Sequence, residues 1–112
     1  MKYALLIHEG VGAYEQLSAD ELAAVTAQYV EIVQDRRVLS AEQLEPPTTA
    51  TTVRVRDGEL LLTDGPFADT KEIFGGYYIV EARDLDDALE LAGRMPAARL
   101  GGSVEVRPVV ER

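Results

Sequence analysis

Lys2-Tyr-Ala-Leu-Leu-Ile-His8 opens the chain as a run of β-forming side chains that stops at Glu9-Gly10. Strand alternation puts Tyr3, Leu5 and Ile7 on one face and Ala4, Leu6 and His8 on the other. Both faces are largely apolar. Tyr77-Tyr-Ile-Val-Glu-Ala82 repeats the pattern, with Tyr77 and Ile79 opposed to Tyr78 and Val80. Two such strands in one sheet need cover on both sides. What the rest of the chain can supply therefore decides the architecture.

It supplies two helices. Ser18 opens the first, with Glu21 three residues on in a capping-box pattern, and Leu22, Val25, Tyr29, Ile32 and Val33 form one apolar stripe. This helix is expected over Ser18–Arg37, with cations near its negative end. Asp84 caps the second, expected over Asp84–Met95, where Leu85, Ala88, Leu89 and Ala92 make the stripe and Pro96 interrupts it. Further strands are expected at Val38–Leu44, stopped by Pro46-Pro47, and at Ser103–Val110. Thr51–Arg56 and Glu59–Thr63 flank Asp57-Gly58, a strong hairpin signal, and Arg54 and Arg56 give that hairpin one polar face. The segment Asp64–Gly76, with Gly65-Pro66 and Gly75-Gly76, is expected to be a loop.

The order is β-α-β, an inserted hairpin, then β-α-β. This predicts an α+β, ferredoxin-like βαββαβ fold over a single domain, 1–112, with both helices on one face of an antiparallel sheet. Two helices cover one face only, so the other requires a second copy. A homodimer with facing sheets is the expectation.

The 112 residues hold 20 acidic and 11 basic side chains, a net charge of -9. A polyanion is repelled by such a chain, so nucleic acid is not an expected partner. No apolar run reaches the roughly 20 residues of a membrane span. Met1–His8 runs directly into acidic sequence and does not read as a signal peptide. The absence of cysteine removes thiol catalysis and Cys-ligated metals, and a single His leaves no ordinary metal ligand set. No Gly-x-Gly-x-x-Gly phosphate loop is present, and no cofactor is expected. A cytoplasmic protein is the default.

Thr63-Asp-Gly-Pro-Phe-Ala-Asp-Thr-Lys-Glu72, followed by Gly75-Gly76-Tyr77-Tyr78, resembles the signature of the DGPF family, a branch of the YCII-related proteins. Met1-Lys2-Tyr3, the run Pro46–Arg54 and the ending Gly102–Pro108 extend the likeness along nearly the whole chain. The resemblance implies a dimeric α/β barrel built from ferredoxin-like subunits. Relatives in the wider superfamily include muconolactone isomerases, a dehydrochlorinase and antibiotic-biosynthesis monooxygenases. DGPF proteins are often encoded beside extracytoplasmic-function sigma factors. Two departures matter: Asp69 stands where the family usually has Glu, and the expected first helix lacks the His that pairs with an Asp in other YCII-related proteins.

Two readings follow. In the first, the chain is a binding module or sensor for a small molecule, acting with a sigma factor. In the second, it is a cofactor-independent lyase or isomerase on a small organic acid, with a pocket between sheet and helices or at the barrel mouth. Asp64 is then the candidate base and His8 the candidate acid. Asp64 also suits a purely structural turn before Gly-Pro, and His8 a structural place at a strand end. Phe67, Asp69, Lys71 and Tyr78 are candidate ligand contacts, although Phe67 equally suits an anchor for its loop and the charged pair a solvated surface.

Overall fold

The computed structural model of the chain describes residues 1–65 and 71–112. Strands β1 (Lys2–Gly10), β2 (Val38–Gln43), β3 (Thr51–Arg56), β4 (Glu59–Asp64), β5 (Glu72–Glu81) and β6 (Ser103–Pro108) alternate with helices α1 (Ala19–Val33) and α2 (Leu85–Gly93). Four strands form an open antiparallel sheet in the order β2-β5-β1-β6, and β3 and β4 form a separate two-stranded sheet. Both helices pack on one face. This is the ferredoxin-like arrangement with the inserted hairpin, and no barrel closes among the described residues.

Tyr3, Leu5 and Ile7 of β1 and Tyr78 and Val80 of β5 face the helices and are buried with Ile32, Leu91 and Met95. Strand parity turns Ala4, Leu6, Tyr77 and Ile79 the other way, where they are only half-buried. The uncovered face is thus the one bearing Leu6.

Local chemistry explains the element ends. Ser18 Oγ accepts from the Glu21 amide at 3.1 Å, and Glu21 accepts from the Ser18 amide at 3.0 Å, completing the capping box. Ser18→Ala should cost about 1 kcal/mol, read as a lower urea midpoint at unchanged slope. Helix α1 ends at Val33 rather than Arg37. There the Asp35 carboxylate captures the Arg37 amide and side chain, both at 2.9 Å, and the chain turns. The Arg37 guanidinium also reaches Asp87 at 2.9 Å and Glu90 at 2.8 Å, tying the end of α1 to α2. This bonding holds the Asp35 carboxyl well below the ordinary carboxylate range.

Helix α2 ends at Gly93, before the expected Met95. Its buried face is Ala88, Leu91 and Ala92, while Leu85 and Leu89 are exposed. The true stripe keeps Ala88 and Ala92 but takes Leu91 in place of Leu85 and Leu89, and Met95 continues it from outside the helix. The hairpin turns on Asp57 and Gly58 with φ of 52° and 76°, the positive values a type I′ turn demands.

The largest departure lies in the expected loop. Its Glu72–Gly76 portion is strand, because Glu9 and Gly10 continue β1 and supply ladder partners for Ile73 and Glu72. Gly76 pairs with Ile7 and Phe74 with His8, so Gly75 is the extra residue of a β-bulge. The expected ends of β2 and β6, Leu44 and Val110, fall just past the observed ones.

The hairpin stands away from this body. The radius of gyration is 15.9 Å, against about 13 Å for a compact chain of similar length. On one hairpin face Val53 pairs with Leu62 and Val55 with Leu60, and all four are more than half exposed.

Candidate functional site

The α1 stripe does not close fully on the sheet. Val25 and Ile32 are buried, but Leu22 and Val33 remain exposed along a cleft of about 340 Å³ between α1 and the β2–β5–β1 strands. That volume is in the range of small-molecule sites. Apolar side chains supply most of the wall: Ile7 below, Leu22, Val25 and Val30 above, and Ala41 at the side.

Thr26, Glu42 and Gln43 also line it, and four further polar residues, Glu9, Tyr14, Tyr29 and Tyr78, are held there by hydrogen bonds. Glu9 follows Ile7 on the helix-facing side of β1, and its Oε1 accepts from the Tyr14 hydroxyl at 3.2 Å. Tyr14 is set by a short 3₁₀ turn, Tyr14–Gln16, with the Ala13 amide bonded to Gly10 at 3.1 Å. The Tyr29 hydroxyl accepts from the Ala97 amide at 3.1 Å, which fixes that ring against the turn after α2. The Tyr78 hydroxyl donates to the Tyr29 carbonyl at 3.5 Å.

Gly75 makes room for the carboxylate. A Cβ there would lie 2.7 Å from the Glu9 carboxyl carbon, so the bulge residue must lack one for Glu9 to lie as it does.

Burial raises the Glu9 pKa, an effect partly offset by the Tyr14 hydrogen bond. Burial and the neighbouring Tyr29 and Glu9 push the Tyr14 phenol upward, and burial carries Tyr78 up to about 12. These phenols are therefore held as neutral donors beside the Glu9 carboxyl group. The set can bind a hydrogen-bond donor or move a proton at Glu9. No Lys, Arg or His lines the cleft among the described residues.

The sequence-derived candidates are dispersed. Tyr78 lines the cleft. His8 lies on the opposite sheet face, 5.5 Å from the Phe74 ring and with Nε2 3.5 Å from Glu105. Asp64 is exposed at the end of β4, paired with Thr51 in the other sheet, and no hydrogen bond or ion pair joins it to His8 among the described residues. The neighbouring Gly65 amide bonds to the Ala50 carbonyl at 2.8 Å. Lys71 is exposed, and its carbonyl accepts from Val11 at 3.0 Å. Phe67 and Asp69 lie outside the described residues. The cleft lies between sheet and helices, one of the two places expected for a pocket, and its hydrogen-bonded carboxylate is Glu9. Glu9 reads in sequence as the punctuation ending a strand, and Tyr29 as one more core position. The available signal was parity, since Glu9 follows Ile7 by two.

The family model for the YCII-related domain matches residues 1–112. The chain belongs to the YCII-related family. A protein of Rhizobium meliloti (strain 1021), named only as uncharacterized, is 36% identical over 117 residues, covering 97% of this chain and 92% of its own length. Neither likeness brings an activity to this YCII-related chain. Its cleft therefore has to be read from its own chemistry.

Proposed function

We propose that this YCII-related protein binds a small organic molecule in the cleft beneath α1. The observation that carries this reading is the incomplete closure of α1 on the sheet, with Glu9, Tyr14 and Tyr29 gathered where apolar packing would otherwise be. A core of this size fills its interior when it has no reason to keep a void. Binding or sensing is the primary reading; proton transfer at Glu9 is the chemistry a reacting ligand would find.

The working form in this reading is a homodimer with the Leu6 faces of two sheets packed together. Support comes from the unpartnered apolar strip of Ala4, Leu6, Tyr77 and Ile79 and from the projecting hairpin. Assignment to the DGPF branch rests on the Thr63–Glu72 signature, and association with a sigma factor on the same resemblance. A cytoplasmic setting is part of this reading and rests on the cysteine-free composition; among the described residues no helix is long and apolar enough to cross a membrane.

The test is a ligand-detected NMR screen of small aromatic fragments against the wild type and an Ala41→Phe variant. Ala41 is a half-buried wall of the cleft, so the larger ring should occupy it. Fragments bound by the wild type should lose their signal with the variant, whose circular dichroism stays native. Binding that persists unchanged, or no binding at all, would overturn the proposal.

A further inference from the structure

We propose that the cleft selects a small organic cation, an amine borne on an apolar or aromatic body, with the Glu9 carboxylate as its counter-ion. This rests on the small-molecule reading of the same cleft and names the chemistry of its occupant.

The first ground is charge. Two glutamates, the half-buried Glu9 and the exposed Glu42, line the cleft, and no cation does among the described residues. A bound carboxylic acid would meet Glu9 with no Lys or Arg to answer it. Arg99 influences Tyr29 from outside the lining and is hydrogen-bonded to Gln28. An ammonium group instead supplies Glu9 with the charge-assisted hydrogen bonds that its surroundings leave wanting.

The second ground is the approach. Glu9 and Tyr14 also form the wall of an adjoining cavity of about 540 Å³, whose other polar side chains include Glu15 and Glu45 and no Lys or Arg among the described residues. A solute approaching the cleft from this side meets negative potential. On a chain of net charge -9, that favours cations and repels acids.

The third ground is the wall itself. Tyr14, Tyr29 and Tyr78 bring three aromatic rings to one cleft, and such rings attract organic cations as well as apolar bodies. Glu9 is held among them by the Tyr14 hydroxyl and by the space at Gly75. An apolar body beneath α1 and a donor group at Glu9 can be satisfied together.

Benzylamine, benzyl alcohol and benzoate, matched in size and differing in charge, make the test. Each is titrated into the full-length protein and followed by two-dimensional NMR of the amides near Glu9, Tyr29 and Gly76. Benzylamine should bind about tenfold more tightly than benzyl alcohol, the difference between a charged and a neutral hydrogen bond. Benzoate should bind weakest. Glu9→Gln should bring benzylamine down to the level of the alcohol while alcohol binding persists, which also reports an intact cleft. Should Glu9→Gln fail to fold, Gly75→Ala displaces the carboxylate without removing it and should lower the amine preference in the same direction. Benzoate binding as tightly as benzylamine, or an amine preference that survives both variants, overturns the cation proposal and leaves the small-molecule reading standing. Binding of none of the three overturns both.

Discussion

Leu6→Asp should convert the protein from a dimer to single copies. In sedimentation velocity at micromolar concentration the wild type is expected at twice the 12.2 kDa chain mass. Leu6 lies between Tyr77 on β5 and Glu105 on β6, in the middle of the face turned from both helices. Its neighbours Ala4 and Ile79 are half-buried and Phe74 is exposed, so this strip and the hairpin leucines and valines form apolar surface that no other described residue covers fully. Contiguous patches beyond a few hundred Å² are unusual on soluble monomers. A two-fold pairing would cover the strip and give each projecting hairpin a partner surface. The substitution then buries two new carboxylates per dimer, each beside Glu105, whose own carboxylate already engages Arg107 at 3.7 Å. A loss of at least about 10³-fold in association is expected, equivalent to about 4 kcal/mol. Leu6→Ala, which adds no charge, should weaken the dimer far less. A compact wild type of single-chain mass, or a Leu6→Asp variant that sediments as the wild type does, would refute the facing-sheet dimer.

What was legible in the sequence was what local chemistry determines. Ser18 and Glu21 specify a helix start within one turn, and Asp57-Gly58 specify a hairpin within two residues. The order of elements, joined to short connections, then leaves few topologies open. Glu72–Gly76 was illegible for the converse reason. Its glycines read as loop, and only the distant Glu9 and Gly10 make it a strand by pairing with it. Leu91 shows a smaller failure: the α2 sequence offers two overlapping apolar stripes, and contact with the sheet chooses between them. At the site, Tyr29 and Val25 share one stripe, yet only Val25 is fully buried. Periodicity identifies the face of a helix but cannot say where that face fails to meet its neighbour. Alternation does separate His8 from Tyr78, because they lie on opposite sides of the sheet. It likewise places Glu9 with Ile7, and that inference needs only the strand to continue two residues further.

Leu5→Asp should abolish the folded state at neutral pH and return part of it in mild acid. Leu5 has no exposed surface, and its ladder neighbours on the helix-facing side are Tyr78 and Val106. Loss of the leucine alone, as in Leu5→Ala, should cost about 2–5 kcal/mol. A carboxyl buried there without partners has its pKa raised by up to about 3–5 units; the cost at neutral pH is capped by the distance above the unfolded value of about 4, and adds about 4 kcal/mol. Together these rival the whole stability of an ordinary domain, about 5–15 kcal/mol. The sign with pH follows from that raised pKa. The charge penalty is absent below the unfolded carboxyl value of about 4 and grows as pH rises toward the folded one. Asp35 behaves oppositely, since Arg37 depresses its pKa; its contribution is present above the unfolded value and is lost as pH falls through the folded one. The two trends leave a window near about pH 5, where the new carboxyl is neutral and Asp35 is still ionised. Urea unfolding followed by circular dichroism should show no cooperative transition for the variant at about pH 7.5 and a recovered one near about pH 5, while Leu5→Ala keeps a transition at both. Equal midpoints for the two variants at about pH 7.5 would mean that position 5 reaches water, and that the core does not form around Leu5, Tyr78 and Val80.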